Sequence, residues 1–304
     1  MRNKFADKVY ELGKINKNIA IVVADISPAG SIEKFAKDYP DRFINCGVAE
    51  QSMIGISAGL ALRGFRPFCY TIATFTLYRP FEMVRVDLAY HNLPVTLIGM
   101  GSGLIYSTLG GTHQSIEDIS IASSLPNMNV ICPADPYEME KVVEWCATKS
   151  TGPTYVRLGK RGEKNLDSFQ ADSFQFGKIR YLKRGNDIAI ISYGIILQKI
   201  ESAVKFYNKD NFNPSLISCH TIKPLDQNGI IEVLKKYKKI IVIEEHVPHG
   251  GLSSRIKELA FDNKILNSLE CFTLKDKFIK SYGTYDDLLN KHGLNVDEII
   301  KKYI

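Results

Sequence analysis

Short runs of apolar residues alternate with amphipathic segments along residues 1–160 of the chain. The apolar runs have the length of strands, whereas the segments between them repeat their apolar residues at helical spacing. The predicted strands are Ile19–Val23, Phe43–Asn45, Pro67–Thr71, Val95–Ile98, Val130–Cys132 and Tyr155–Arg157. The predicted helices are 4–13, Ser31–Asp38, Gln51–Arg63, Phe81–Tyr90, Ile116–Ser124 and Tyr137–Thr148. This alternation predicts a largely parallel sheet that is covered on both faces.

A second alternation begins at residue 187, after a charged stretch in which the pattern breaks. Its strands are predicted at Ile188–Ser192, Ser215–Ser218, Lys239–Glu244 and Glu270–Thr273. We therefore predict an α/β protein of two consecutive α/β/α domains with largely parallel sheets, residues 1–160 and 187–304, joined by a linker at 161–186. Ligands of such sheets bind at the carboxyl ends of the strands. Asp25, which follows the first strand, is therefore a candidate substrate ligand.

The composition is that of an ordinary globular protein, with 45% hydrophobic and 24% charged residues among 304. The formal charge of +6 comes from scattered lysines and not from a dense basic block, so nucleic-acid binding is not expected. None of the six cysteines forms a Cys-x-x-Cys pair, which predicts free thiols in a reducing compartment. No apolar run approaches the roughly 20 residues of a membrane span, and no signal-peptide pattern precedes the first helix. We therefore expect a cytoplasmic protein with no membrane partner.

Glu50 lies where the segment Asn45–Gln51 turns into a helix rich in glycine, alanine and serine. Because glycine lowers helix propensity, a helix that carries Gly55 and Gly59 is expected to pack closely against another backbone. A carboxylate at the mouth of a tightly packed helix is poorly hydrated, which suits it to holding or sharing a proton. The alternative is that Glu50 is an ordinary first-turn acid that complements the helix dipole.

Four motifs along the chain resemble those of one family. They are Gly-Val-Ala-Glu-Gln at 47–51, Thr74-Phe75, Gly-Gly-Thr-His-Gln at 110–114 and Pro-Asn-Met at 126–128. Together they are similar to motifs in the pyrimidine-binding and C-terminal domains of transketolase-like enzymes, which depend on thiamine diphosphate. The resemblance extends over nearly the whole chain, and it implies transfer of a two-carbon ketol unit between sugar or sugar-phosphate substrates.

The resemblance implies roles for residues around the cofactor. The glutamate that matches Glu50 hydrogen-bonds a ring nitrogen of the aminopyrimidine and favours the imino tautomer, whose nitrogen removes the proton from the thiazolium carbon. The ring of Phe75 would stack on the aminopyrimidine, the alternative being that it packs in the core. Transketolases carry three aromatic residues in this segment. The matching positions here are Ile72, Phe75 and Tyr78, so the first aromatic residue is lost.

His113 matches a family histidine that contacts the substrate near its reactive carbonyl. It lies in a glycine-rich loop that opens a helix, where an imidazole can move protons to and from substrate oxygens near neutral pH. The alternative is a solvent-facing histidine near a helix start.

The predicted substrate contacts depart from those of sugar-phosphate transketolases. Those enzymes have a histidine at the place of Gly101 and an aspartate at the place of Leu109, and both contact substrate hydroxyls. Their phosphate-binding arginines match Lys160, or Arg161 if the alignment slips by one residue, and Arg2. Lysine holds a phosphate as a point charge and not as a fork. These departures predict a sugar that is less hydroxylated or not phosphorylated.

The sequence contains no Gly-Asp-Gly motif, through which thiamine-diphosphate enzymes hold the diphosphate with Mg²⁺. A magnesium ion needs carboxylate and carbonyl oxygens around the phosphates. We therefore expect a separate N-terminal subunit to carry the Gly-Asp-Gly motif and to hold the Mg²⁺. Thiamine diphosphate would lie at the interface, with Glu50 reaching in from this side. An α2β2 assembly is the natural closed form.

Three other interpretations remain open. The beta subunit of a 2-oxo acid dehydrogenase would share Glu50, the double fold and the segment Glu244–Gly251. A carboligase similar to deoxyxylulose-phosphate synthase has related motifs and decarboxylates pyruvate. A non-catalytic scaffold subunit would keep the fold without the chemistry. The Gly-Thr-His-Gln loop and the run Ser124–Met128 favour a transketolase over the first, and the retention of Glu50, Phe75 and His113 argues against the last.

Overall fold

The computed structural model of the chain describes residues 1–26, 30–160, 162–166, 171–186, 188–207, 212–265 and 267–303. Two sheets, one of seven strands and one of five, organise these residues. Helices pack on both faces of each sheet. The predicted α/β class with largely parallel sheets in two domains is confirmed.

The first half of the chain forms six strands of the seven-stranded sheet. They are β1 (Ile19–Val23), β2 (Phe43–Asn45), β3 (Arg66–Ile72), β4 (Thr96–Met100), β5 (Asn129–Ile131) and β6 (Thr154–Leu158). The helices are α1 (Arg2–Ile15), α2 (Ser31–Asp38), α3 (Glu50–Leu62), α4 (Ala73–Leu77), α5 (Phe81–Met83), α6 (Asp118–Ser124) and α7 (Pro136–Thr148). A 3₁₀ turn spans Pro40–Arg42, and α5 continues as a π-helical segment at Val84–Tyr90. These six strands are parallel in the order β5-β6-β4-β3-β1-β2, so their carboxyl ends meet at one edge.

The second half supplies the five-stranded sheet and one further strand. The strands are β7 (Arg180–Lys183), β8 (Ile188–Ser192), β9 (Ser215–Ser218), β10 (Thr221–Lys223), β11 (Lys239–Ile243) and β12 (Ser268–Phe272). The helices are α8 (Ile196–Phe206), α9 (Gln227–Lys236), α10 (Leu252–Asp262), α11 (Tyr285–Lys291) and α12 (Val296–Lys301). The five-stranded sheet has the order β12-β11-β8-β9-β7, in which only β7 is antiparallel to its neighbour.

Two strands join the parts that the sequence pattern separates. β7 lies inside the range 161–186 that we expected to be a linker, yet it pairs with β9 of the second sheet. β10, which the pattern does not predict, pairs with β5 and so extends the first sheet from the second half of the chain. The two halves therefore share a sheet edge, and the domain ranges 1–160 and 187–304 stay predictions.

Strand β1 shows how the sheet divides the core into two layers. Val22 belongs to the buried cluster that includes Met53 of α3. Ile21 and Val23 belong to the cluster on the opposite face, with Phe5 of α1. Successive side chains of a strand point to opposite faces, so an unbroken apolar run fills both layers. The sheet is therefore covered on both faces, as the alternation of strands and helices predicts.

Neither a disulfide nor a membrane-spanning helix is found in the residues described. All six cysteines are free, as predicted, and four of them are buried: Cys69, Cys132, Cys146 and Cys219. No described helix is both long and apolar enough to cross a membrane.

His220 is buried where the two sheets meet, between β9 and β10. Its ring stacks on Phe174 with 4.3 Å between ring centres, and its Nδ1 lies 2.9 Å from Thr221 Oγ1. Burial, reinforced by the nearby charge of Arg180, lowers the pKa of His220 from 6.5 to about 3. The imidazole is therefore neutral in the folded chain at pH values where the unfolded chain binds a proton.

His220 should make the fold sensitive to acid. Because the pKa of His220 is lower in the folded state than in the unfolded state, protonation favours the unfolded chain. The contribution of the neutral imidazole to the free energy of unfolding is complete above pH 6.5 and is lost as the pH falls toward 3. We expect the free energy of unfolding of the wild-type chain to fall by about 2 kcal/mol more than that of His220→Gln between about pH 7 and pH 5, at roughly 1.36 kcal/mol per unit. Urea unfolding at both pH values measures this difference. The exposed His91 supplies the control, since His91→Gln should follow the wild type. Equal pH dependence of wild type and His220→Gln would contradict the prediction.

Candidate active site

Glu50 is the first residue of α3, at the predicted loop-to-helix junction, and only 2% of it is exposed. Its carboxylate is paired with Arg79, whose Nη1 lies 2.7 Å from one carboxylate oxygen and 2.9 Å from the other. The Arg79 side chain is 40% exposed. A fixed, buried carboxylate is thus held by a cation that reaches solvent. The sequence pattern does not predict this pairing.

The helix behind Glu50 is open on its small-residue face. A Cβ placed on Gly55 or Gly59 would have nothing within 4 Å. Ile56 and Leu62 on the same helix are exposed. Within the part of the chain that the structure describes, α3 therefore does not make the close backbone packing that its glycines led us to expect.

Phe75 and Tyr78 line a cavity at the carboxyl edge of the first sheet. The short helix α4 follows directly on β3 and carries Phe75, with Tyr78 at its end. The cavity has a volume of about 570 Å³ and is also lined by Thr74, Arg79, Gly111, Thr112, His113, Gln114, Glu117 and Phe278.

Arg79 and His113 both contact the Phe75 ring. The guanidinium carbon of Arg79 lies 4.3 Å from the centre of the Phe75 ring. The His113 ring meets Phe75 edge-on, 5.2 Å between centres. The structure thus brings the three predicted residues together: Arg79 contacts both Glu50 and Phe75, and Phe75 contacts His113.

Local hydrogen bonds hold His113 beside α4. Thr74 Oγ1 donates to the backbone oxygen of Thr112 at 2.9 Å, and Thr112 Oγ1 lies 2.8 Å from His113 Nδ1. Partial burial lowers the pKa of His113 below its ordinary value of 6.5. The imidazole is therefore neutral at pH 7 and able to accept a proton.

A buried ion pair anchors the loop that carries His113. The Nε of Arg157 lies 3.0 Å from an Asp118 carboxylate oxygen. Arg157 Nη2 also donates to the backbone oxygens of Ser115 at 3.2 Å and Glu245 at 2.9 Å. Asp118 is fully buried and Arg157 is 4% exposed. One guanidinium therefore joins the end of β6, the His113 loop and the end of β11.

The segment after β11 holds both ends of the same loop. Glu245 accepts the backbone N–H of Leu104 at 2.6 Å and the hydroxyl of Tyr285 at 2.9 Å. Burial raises the pKa of the Glu245 carboxyl. At the other end, the backbone N–H of Val247 donates to the backbone oxygen of Ile116 at 2.9 Å, and His246 Nε2 accepts the backbone N–H of Ser120 in the following helix α6 at 3.3 Å. The second domain thereby positions a loop of the first.

Tyr106 connects the predicted substrate residues, although the sequence pattern does not single it out. Its ring centre lies 5.9 Å from that of His113 and 5.1 Å from the Nζ of Lys160. Burial raises the pKa of Tyr106, and the nearby charge of Arg2 opposes that shift. His113 and Lys160 thus lie beside one aromatic ring, and the charge of Arg2 is close enough to act on its hydroxyl.

The Tyr106 ring also fills the space beside Gly101. A Cβ built on Gly101 would lie 2.1 Å from Tyr106 Cε2, and the φ of Gly101 is +70°. The histidine that the resemblance places at this position therefore has no room here. Leu109, in the place of the family aspartate, is 47% exposed.

The remaining predicted residues lie away from the cavity or outside the described chain. Asp25 lies two residues after β1, on the same edge of the sheet; it is exposed, and its backbone N–H donates to Asn45 Oδ1 at 3.2 Å. Ile72 packs against the core cluster on the α1 side of the sheet. Neither is among the residues that line the cavity. Arg161 lies outside the described residues.

Two domain families match the chain. The pyrimidine-binding domain of transketolase matches residues 1–163, and the C-terminal domain of transketolase matches residues 177–299. The chain is 32% identical over 302 residues to one subunit of the apulose-4-phosphate transketolase of Phocaeicola vulgatus, covering 99% of this chain and 95% of the relative.

Two further similarities differ in how much of the other protein they span. The chain is 34% identical over 302 residues to 1-deoxy-D-xylulose-5-phosphate synthase of Alkaliphilus oremlandii, covering 97% of this chain but only 47% of the synthase. It superposes with a TM-score of 0.85 and 30% identity on a split-gene transketolase solved as an inactive β4 tetramer, covering 99% of this chain and 96% of that one. These matches confirm the resemblance that the four motifs indicate.

The contact between Gly101 and Tyr106 can be tested by adding one methyl group. Gly101→Ala should lower the free energy of unfolding by at least about 2 kcal/mol, because the Cβ overlaps the ring at a left-handed backbone conformation. Gly111→Ala is the matched control, since a Cβ there meets nothing within 4 Å and should change stability by less than about 1 kcal/mol. Urea unfolding measures both. In a Tyr106→Ala background the cost of Gly101→Ala should shrink, and an undiminished cost would show that the ring is not its cause.

Proposed function

The chain belongs to the transketolase family, and we propose on this basis that it is the C-terminal subunit of a two-chain, thiamine-diphosphate-dependent enzyme that transfers a two-carbon ketol unit between sugar substrates. One observation carries the proposal. The buried carboxylate of Glu50 and the face of Phe75 both contact one planar group, the guanidinium of Arg79. We infer that a flat, hydrogen-bonding heterocycle would make the same two contacts.

The residues of this chain fit the aminopyrimidine half of thiamine diphosphate. Glu50 would hold a ring nitrogen, and the Phe75 ring offers an aromatic face for stacking. The sequence has no Gly-Asp-Gly motif. In the residues that the structure describes, no three His, Cys, Asp or Glu side chains are placed to hold a metal ion. We therefore assign the diphosphate and the Mg²⁺ to an N-terminal partner subunit with Gly-Asp-Gly, and the cofactor to the interface of an α2β2 assembly.

The names of two relatives support a partner. One is named as a subunit of a transketolase, and the other is a split-gene transketolase whose β4 tetramer is inactive. We infer that the present chain likewise depends on a second chain for turnover.

The side chains of this subunit would position groups and move protons. Bound thiamine diphosphate would supply the nucleophilic carbon that ketol transfer requires. Glu50, which is buried, would share a proton with the ring nitrogen. His113, which is neutral at pH 7, would accept a proton from a substrate oxygen and return it. Tyr78 lines the cavity and Ile72 precedes α4, and both stay predicted cofactor contacts.

The substrate end of the site favours a sugar with fewer hydroxyl groups or no phosphate. Tyr106 occupies the space of one family hydrogen-bonding side chain, and Leu109 replaces another. Lys160 and Arg2 are the predicted anion contacts beside Tyr106. Asp25 at the end of β1 stays a predicted substrate ligand. Turnover of xylulose 5-phosphate and ribose 5-phosphate by the assembled complex at ordinary transketolase rates would contradict this substrate class.

The second candidate function is a carboligation like that of deoxyxylulose-phosphate synthase. The similarity of the chain to half of such a synthase favours it. The products distinguish the candidates, because a carboligase or a 2-oxo acid dehydrogenase releases carbon dioxide from a 2-oxo acid and a transketolase does not. Assaying the assembled complex with pyruvate measures this release.

Removing the carboxylate of Glu50 tests the catalytic role directly. We expect Glu50→Gln to lower kcat of the assembled complex by at least about a hundredfold, since an amide cannot share the proton. Glu33 is the matched control, because it is also a first-turn acid, on α2, but is exposed. Glu33→Gln should keep the wild-type rate. Unchanged turnover of Glu50→Gln would favour a helix-dipole role for Glu50 and a non-catalytic subunit.

The pH dependence of turnover tests His113. Because burial lowers the pKa of this imidazole, kcat/KM should hold constant at neutral pH and fall as the pH drops through a value below 6.5. His113→Gln should lower kcat/KM by about a hundredfold and abolish this acid limb. His91→Gln, at an exposed position, should leave rate and profile unchanged. Persistence of the acid limb in His113→Gln would assign it to another group.

A further inference from the structure

Arg79 makes the two contacts that the proposed function assigns to the aminopyrimidine. Its Nη1 donates to both carboxylate oxygens of Glu50, at 2.7 and 2.9 Å. Its guanidinium carbon lies 4.3 Å from the centre of the Phe75 ring. A guanidinium is planar, carries N–H donors and stacks on aromatic faces, so it satisfies the same carboxylate and the same ring as the heterocycle would.

We propose that Arg79 is a residue of the cofactor site. In the chain without cofactor its guanidinium occupies the position of the aminopyrimidine, and it is displaced when thiamine diphosphate binds. The inference rests on the proposed function. It adds a competition within the site, because the guanidinium occupies the position beside Glu50 and over the Phe75 ring that the aminopyrimidine would take.

The exposure of the two partners decides which of them moves. The side chain of Glu50 is 3% exposed and that of Arg79 is 40% exposed. Glu50 begins a helix of 13 residues, whereas Arg79 comes just after a helix of five and lies on the cavity surface. The carboxylate therefore stays in place, and the arginine is the group that can turn toward solvent.

The charge of Glu50 explains why the departure of Arg79 is coupled to the binding of the cofactor. A buried carboxylate left without a partner is strongly unfavourable, so Arg79 stabilises Glu50 as long as no other donor is present. A ring nitrogen that hydrogen-bonds Glu50 supplies the replacement. Cofactor affinity is then reduced by the fraction of molecules in which Arg79 occupies the position.

Calorimetric titration of the metal-loaded cofactor into the cofactor-free complex of this chain with its partner subunit tests the competition. The probe is thiamine diphosphate with Mg²⁺. We expect Arg79→Met to lower Kd by about tenfold, because the methionine has no charge to hold Glu50. Arg79→Gln, which keeps one amide donor but no charge, should lower Kd by a smaller factor and serves if the methionine variant does not fold.

Arg85 provides the matched control for loss of a positive charge. It is exposed and lies six residues further along the chain. Arg85→Met should leave Kd unchanged. An unchanged or higher Kd in both Arg79 variants overturns the inference and leaves the proposed function standing. Absence of binding to the wild-type complex, in contrast, would overturn the proposed function itself.

Discussion

The Arg157 guanidinium is the contact on which the geometry of the site depends. It is buried with Asp118, and it donates to backbone oxygens in the His113 loop and in the segment after β11. Loss of one partner of a buried ion pair leaves an unpaired charge at a cost of about 3–5 kcal/mol, so such a pair strongly favours one arrangement of the chain around it. Together with the hydrogen bonds from Thr74 and Thr112, this arrangement sets the position of His113 relative to Phe75.

Residues from both halves of the chain line the cavity. Phe75 lines the cavity from α4, which follows a strand of the first sheet, whereas Phe278 reaches the cavity from the second half of the chain. Tyr282, close to Phe278 in sequence, approaches Gly110 so nearly that a Cβ there would lie 3.1 Å from its ring. The second half of the chain therefore shapes the cavity wall in addition to anchoring the loop that carries His113.

Much of the fold could be predicted from local pattern, and the site only in part. β1, β2 and α2 begin and end where predicted, because unbroken apolar runs and helical spacing are local signals. β10 was missed, since a three-residue strand depends on the partner it pairs with. The roles assigned to Glu50, Phe75 and His113 came from motifs and stay predictions. Arg79 was also missed, although its spacing of four from Phe75 is a helical one and could have suggested a shared face.

The open face of α3 has a consequence for the free energy of unfolding of the chain. Gly55 and Gly59 meet no other atom within 4 Å at the Cβ position, so alanine would fit at both without a clash. Each glycine lowers helix stability by about 1 kcal/mol relative to alanine. The folded chain therefore keeps two thermodynamically unfavourable residues that its own packing does not require. Selection for folding alone would favour replacing them.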